Sequence, residues 1–196
     1  GRAIAGSGLK RDDIFLTTKV WHTDLAPAAL LDSARRSLEK LKLERVDLLL
    51  IHWPTTTGVA LADSIGALNE ARRQGLARHI GVSNFPAAML AEAATLSASP
   101  LAANQCEYHP RLDQTTLLAA CRSRGVAFTS YSPLGKGDLV ADPTVAAMAA
   151  ARGKSSSQII LRWHVQQGVV AIPRSRSRAH IAANFDVFDF ELSEAE

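Results

Sequence analysis

Six short apolar runs recur along this chain, each about the length of one buried strand, and helical patterns lie between them. The runs cover residues 15–21, 46–53, 79–84, 101–109, 126–133 and 168–174. They show little polar alternation, which is the pattern of strands covered on both faces and so of a parallel sheet packed between helices. The amphipathic stretches cover 27–41, 61–74, 86–96, 114–124, 143–152 and 155–167. Pro27, Pro86 and Pro143 stand near their starts, where a missing N–H costs nothing. Gly75 and Gly125 stand at their ends, where a left-handed residue closes a helix.

Six strand–helix units in one series admit two α/β architectures. An open doubly wound sheet for a nucleotide carries a G-x-G-x-x-G turn after an early strand, and the sequence has none. The other is the (β/α)8 TIM barrel of ~250 residues, of which six units are visible here and the two N-terminal ones are expected to be missing. Residues 1–8 read as the tail of a helix stopped at Gly6 or Gly8, and Ser193 reads as the cap of a helix that does not continue. Residues 1–196 are therefore expected to form a single barrel domain truncated at both ends.

The balance of 47% hydrophobic and 21% charged residues excludes disorder and a disulfide scaffold. Cys106 and Cys121 lie in apolar surroundings with no metal-ligand spacing, so reduced core thiols in a cytoplasmic protein are expected, with no metal. A net charge of +3 suits an anionic small ligand without marking a nucleic-acid binder. No segment reaches the ~18 unbroken apolar residues of a membrane span. The expectation is a monomer with a small-molecule substrate, no nucleic acid and no membrane.

Barrel enzymes place their chemistry at the carboxyl ends of strands. Those ends carry, in order, Lys19, His52, Ser83 with Asn84, Gln105, Tyr131 and Arg174, at spacings of 33, 31, 22, 26 and 43 residues. Each has a structural reading when taken alone. Lys19 can be a solvated charge, His52 a satisfied core histidine, Ser83, Asn84 and Gln105 caps for loop backbone, and Tyr131 packing with its hydroxyl at the rim. Their shared position, one set per strand end, favours a common site.

The segments Thr17-Thr18-Lys19-Val20-Trp21, Leu50-Ile51-His52-Trp53-Pro54, Gly81-Val82-Ser83-Asn84-Phe85, Asn104-Gln105-Cys106-Glu107-Tyr108-His109-Pro110, Tyr131-Ser132-Pro133-Leu134-Gly135 and Ile172-Pro173-Arg174-Ser175 resemble the aldo-keto reductase family, in order and across nearly the whole chain. The short connection after Trp53 and the Phe188-Asp189-Phe190-Glu191-Leu192 ending resemble most the bacterial 2,5-diketo-D-gluconate reductases.

The resemblance implies an NADPH-dependent oxidoreductase that reduces an aldehyde, ketone or keto sugar to an alcohol by hydride transfer. Lys19 matches the lysine that tunes a proton-donating tyrosine, and His52 the histidine that polarises the substrate oxygen. That tyrosine and the aspartate paired with the lysine are expected before Gly1, and neither Tyr108 nor Tyr131 takes the role. Ser83, Asn84 and Gln105 match the groups that hold the nicotinamide carboxamide, and Tyr131 the ring on which the nicotinamide stacks. Ser132, Leu134 and Gly135 match the stretch over the pyrophosphate, Arg174 and Ser175 the pair at the 2′-phosphate, and Asn184 the residue near the adenine edge. Trp21 and Trp53 are expected as aromatic walls of the substrate pocket.

Two departures stand out. Arg174 replaces the lysine of many members, which keeps the charge and adds a planar fork. His180 replaces the usual arginine, and Arg176 and Arg178 are expected to compensate. Two alternatives remain open at this point: an aldose-reductase-like member of broad aldehyde range, and a non-enzymatic NADPH-binding regulatory or structural member of the same fold. Lys19 and His52 argue against the latter, since a binding module needs no tuned proton relay.

Overall fold

The computed structural model describes residues 1–195. Its elements are α1 (Arg2–Gly6), β1 (Thr17–Val20), α2 (Pro27–Leu41), β2 (Val46–Ile51), α3 (Leu61–Arg73), β3 (Ala77–Ser83), α4 (Ala87–Leu96), β4 (Leu101–Glu107), α5 (Thr115–Arg122), β5 (Ala127–Tyr131), α6 (Pro143–Arg152), α7 (Ser156–Gln166), β6 (Val170–Ala171) and α8 (Arg178–Phe185). The six strands hydrogen-bond in chain order, β1 to β6. This is the alternating α/β order that the apolar runs predict. Two compact units divide the chain, one of Gly1–Asn104 with Ala120–Val126, the other of Gln105–Ala119 with everything from Ala127 on.

In the first unit β1, β2 and β3 are parallel, with Lys19 opposite Leu50 and Ile51 opposite both Val20 and Val82. All six residues of β2 are buried. Helix α2 begins at Pro27 without a side-chain cap and buries Leu30, Ala34 and Leu38, one stripe at four-residue steps. Each such buried leucine contributes about 1.5–3 kcal/mol relative to exposure. Helix α3 presents Ile65, Leu68 and Ala71 in the same way. The one charge buried in β2 is Asp47, near its amino end. Burial alone would raise the Asp47 carboxyl, but the Leu16 N–H at 2.8 Å, Arg11 at 2.7 Å and the charge of Arg78 together hold it below the usual carboxylate range.

In the second unit β5 and β6 are parallel, Thr129 opposite Val170 and Ser130 opposite Ala171. Helix α6 opens on Asp142, whose side chain accepts from the N–H groups of Thr144 and Val145, with Pro143 in its first turn. Helix α7 opens on a reciprocal capping pair, Ser155 and Gln158. Lys154 is nearly covered and joins Asp186 at 3.1 Å and Asp189 at 2.7 Å.

Three differences from the sequence expectation have physical causes. The run 168–174 yields a strand of two residues, because Gly168 turns at φ +70° and Pro173 has no N–H for a ladder. Residues Gly135–Ala141 form 3₁₀ turns broken at Lys136 and Gly137. Helix α8 was not anticipated: its two large apolar residues, Ile181 and Phe185, stay exposed, so no buried stripe marks it. The helix tail before Gly8 is present as α1, with Gly8 at φ +74°. At the other end, residues 194–195 form a turn, and the helix expected after Ser193 otherwise lies outside the described residues. Cys106 and Cys121 are buried and form no disulfide among the described residues, and burial pushes Cys121 up to about 11. No helix among the described residues is long and apolar enough to cross a membrane.

Gly81 fixes how closely β3 approaches its neighbours. A Cβ there would stand 2.5 Å from the Ala103 carbonyl oxygen and 2.8 Å from a Leu50 methyl, whereas at Gly66 in α3 it would meet nothing within 4 Å. Gly81→Ala is expected to destabilise the protein by about 1–3 kcal/mol through overpacking. Gly66→Ala should stabilise it by roughly 0.5–1 kcal/mol through helix propensity. Urea midpoints of the two variants check the contrast, which fails if both move in the same direction.

Candidate active site

Parallel pairing gathers the polar strand ends of the first unit on one edge. The His52 N–H donates to the Val20 carbonyl at 2.9 Å, extending the β1–β2 ladder by one residue past β2. Ser83 closes β3 one residue beyond Val82, the partner of Ile51. Asn84 follows in a left-handed conformation, φ +63°, which asparagine tolerates better than most residues. From there its amide donates to the His52 carbonyl at 2.9 Å and to Ser83 Oγ at 3.1 Å. The end of β3 thus holds the end of β2 in place.

Lys19 and His52 are both partly covered, and this changes their chemistry. Burial pulls the Lys19 ammonium below the usual lysine range. No carboxylate pairs with it among the described residues. His52 is pulled below the ordinary histidine value by burial first, then by the charges of Lys19 and His22. A neutral imidazole beside an ammonium can donate one hydrogen bond to a carbonyl oxygen while the cation favours developing negative charge. Trp21 stands edge-on to His52 at 4.9 Å, and both Trp21 and Trp53 are exposed at this edge, as pocket walls would be. His22 was not singled out from the sequence. Its ring lies 4.7 Å from Trp21, and its Nδ1 meets Thr56 Oγ1 at 2.8 Å, tying the loops after β1 and β2 together. Its only sequence signal was its place two residues beyond a strand end.

The second unit carries the remaining candidates. Gln105 on β4 is buried, and Tyr131 ends β5 half-covered. Burial pushes the Tyr131 hydroxyl up, the Glu107 carboxylate and Cys106 add to it, and the Glu107 backbone N–H works against it. Beyond Tyr131 the backbone turns left-handed at Ser132 (φ +50°), Gly135 (+56°), Lys136 (+58°) and Gly137 (+106°). Leu134 and Gly135 lie in this bend, where an added Cβ at Gly137 would meet nothing within 4 Å. The two glycines adopt this conformation without steric cost, whereas Ser132 and Lys136 hold one that is uncommon for residues with a side chain.

Arg174 and Ser175 follow β6. Ser175 Oγ accepts from the Ser177 N–H at 3.1 Å, and Ser177 Oγ caps α8 by accepting from the His180 N–H at 3.4 Å. Arg174, Arg176, Arg178 and His180 are exposed around this helix start. None of the three arginines pairs with a carboxylate among the described residues. The cluster and the positive end of a helix form a surface suited to a phosphate. Asn184 lies farther along α8, on the wall of an apolar cavity of about 320 Å³ with Leu161, Val165, Val169 and Phe188. Among the described residues no group of three or more His, Cys, Asp or Glu is placed to hold a metal.

The model of the aldo/keto reductase family matches residues 1–196. An aldo-keto reductase of Mycolicibacterium smegmatis is 44% identical over 193 residues, spanning 98% of this chain and 70% of the relative. One from Mycolicibacterium vanbaalenii is 46% identical, spanning 98% of this chain and 69% of its own length. Among solved structures, one provisionally named 2,5-diketo-D-gluconic acid reductase B superposes with a TM-score of 0.96 at 45% identity, covering 99% of this chain and 69% of its own. A Bombyx mori aldo-keto reductase in complex with NADP has a TM-score of 0.91 at 35% identity, covering 98% and 68%.

The proximity of two basic groups is testable without any substrate. His52 is expected to titrate below the ordinary histidine value of about 6.5. Lys19→Met removes one of the charges that depress it, so the His52 titration should move upward. Histidine proton resonances followed against pH measure both; a His52 midpoint that does not respond to Lys19→Met contradicts the coupling.

Proposed function

The chain belongs to the aldo/keto reductase family, and on that premise we propose that it is an NADPH-dependent carbonyl reductase. The single observation that carries the reading is the placement of Lys19 and His52 at one strand edge of the first unit, the His52 N–H donating to the Val20 carbonyl next to Lys19. His52 donates a hydrogen bond to the carbonyl oxygen, which makes the carbon more electrophilic. Lys19 lowers the cost of proton release from a hydroxyl beside it, the step that completes an alcohol. Tyr108 is not that donor, because it is 5% exposed and its hydroxyl donates to Gln167 Oε1 at 2.8 Å. Trp21 and Trp53 give the substrate apolar walls, so the carbonyl meets these groups with little water between them.

In the second unit Tyr131 offers an aromatic face for the nicotinamide of NADPH, which when bound supplies the hydride, and Gln105 offers a polar group for its carboxamide. Ser83 and Asn84, in the first unit, are assigned to the carboxamide on the family resemblance. The bend through Ser132, Leu134 and Gly135 suits close passage of a pyrophosphate. Arg174, with Arg176 and Arg178 beside it, and Ser175 receive the 2′-phosphate, and Asn184 lies toward the adenine. His180 in place of an arginine leaves the binding to those three guanidiniums. Keto sugars such as 2,5-diketo-D-gluconate are the substrate class we favour, on the likeness to the 2,5-diketo-D-gluconic acid reductase B fold.

The test is NADPH oxidation followed by absorbance with a panel of aldehydes, ketones and keto sugars, in the complete natural polypeptide. Arg174→Ala should weaken NADPH far more than NADH, by about ten- to hundred-fold, as expected for losing a charge-assisted contact of roughly 1.5–3 kcal/mol. Equal losses for both cofactors would remove the 2′-phosphate assignment, and no oxidation with any carbonyl would remove the reductase reading.

A further inference from the structure

Behind Tyr131 the second unit contains a polar cluster that no part of the proposed chemistry uses. At its centre is His164 on α7, with no exposed surface at all. Its Nδ1 lies 2.8 Å from the Ile160 carbonyl oxygen, one turn earlier in the same helix. Because a carbonyl only accepts, Nδ1 carries the proton. Its Nε2 faces two groups, the Tyr108 carbonyl oxygen at 3.2 Å and Ser130 Oγ at 3.2 Å. Ser130, equally buried, donates to the same Tyr108 carbonyl at 2.7 Å. The hydroxyl therefore bonds the backbone oxygen, and the accepting Nε2 of the imidazole packs beside both.

That oxygen belongs to the segment that holds Tyr131. The Tyr108 N–H donates to the Tyr131 carbonyl at 3.4 Å. Tyr131 is thus held at its main chain by Tyr108. Ser130, its chain neighbour, reaches back to the same residue. The His164 ring also stands edge-on to the Tyr108 ring at 5.5 Å, so sliding the 107–108 segment breaks packing as well as hydrogen bonds. With a neutral imidazole Nε2 can only accept, so the Ser130 hydroxyl is the donor lying between Nε2 and the Tyr108 oxygen. Removing Ser130 takes that donor away, and removing His164 takes away its second acceptor and the ring packed against Tyr108.

We propose that His164 is a positioning residue for the nicotinamide platform, fixing the ring of Tyr131 through Ser130 and the Tyr108 carbonyl. The proposal rests on the reading that Tyr131 carries the nicotinamide. A platform displaced by a fraction of an ångström still binds the adenosine end of the cofactor but presents the reacting ring at the wrong angle and distance.

The experiment compares His164→Leu, His164→Gln, Ser130→Ala and Tyr131→Ala in the complete natural polypeptide. It reads kcat with NADPH, the fluorescence of bound NADPH, and the affinity for 2′,5′-ADP, which has the phosphate and adenine but no nicotinamide. His164→Leu is expected to lower kcat by about ten- to hundred-fold and to alter bound-NADPH emission, with 2′,5′-ADP affinity unchanged. His164→Gln should recover most of the loss, because its amide oxygen can accept from Ser130 as Nε2 does. Ser130→Ala, a smaller change in the same cluster, should show the same pattern even if His164→Leu folds poorly. Normal kcat in His164→Leu and Ser130→Ala, or 2′,5′-ADP binding lost in step with NADPH, overturns the proposal. Tyr131→Ala separates the two levels: if it leaves emission and kcat intact, the platform reading itself falls and takes the proposal with it. If it damages both while the His164 variants are silent, only the role of His164 is refuted.

Discussion

A strand covered on both faces has no solvent along its length for a polar side chain, so such groups gather at its ends. Strand β2 states the constraint most plainly, with all six residues buried and one charge, Asp47, near the amino end. That charge is tolerated because Arg11 and the Leu16 N–H meet it. The carboxyl end opens instead onto His52 and, on the neighbouring strands, Lys19 and Ser83. Half-burial at this edge depresses the basicity of Lys19 and His52, so the covering of the sheet that stabilises the first unit also shifts these two candidate groups.

Each unit also contains a buried polar side chain that holds a loop at its own end of the sheet. In the first, Asn104 has no exposed surface and donates to the Phe85 carbonyl at 2.9 Å, while the Phe85 N–H approaches its Oδ1 at 3.5 Å. This secures the turn that carries Ser83 and Asn84. In the second, Ser130 and His164 secure the segment around Tyr131. Buried polar groups of this kind cost about 1–3 kcal/mol when left unpaired, so each loop has one low-energy arrangement.

The legible parts of the sequence were those where local rules and burial agree. Pro27 and Pro143 set the starts of α2 and α6, and both helices end where the pattern ends, Lys42 and Gly153 turning left-handed beyond them. The strands were recognised as apolar runs, but their bounds came out shorter, since Trp21, Trp53 and Pro133 continue the run without continuing the ladder. Helix α8 escaped because its two large apolar residues, Ile181 and Phe185, are not buried and Arg174, Arg176 and Arg178 read as a turn. At the candidate site, Lys19, His52 and Asn84 are brought to one edge by parallel register, which the spacing of strand ends already implied. His22 and His164 were invisible for opposite reasons: one acts through a loop-to-loop contact with Thr56, the other through carbonyls distant in sequence.

The central claim is that groups at these strand ends present one face of a nicotinamide to a carbonyl. Stereospecific label transfer measures it directly, using NADPH carrying deuterium at either the 4-R or the 4-S position, with the alcohol product examined by mass spectrometry. The account predicts deuterium in the product from one of the two labelled cofactors and none from the other, because a carboxamide held by fixed polar groups lets only one face react. Deuterium delivered from both, or from neither while a carbonyl is present, would contradict it.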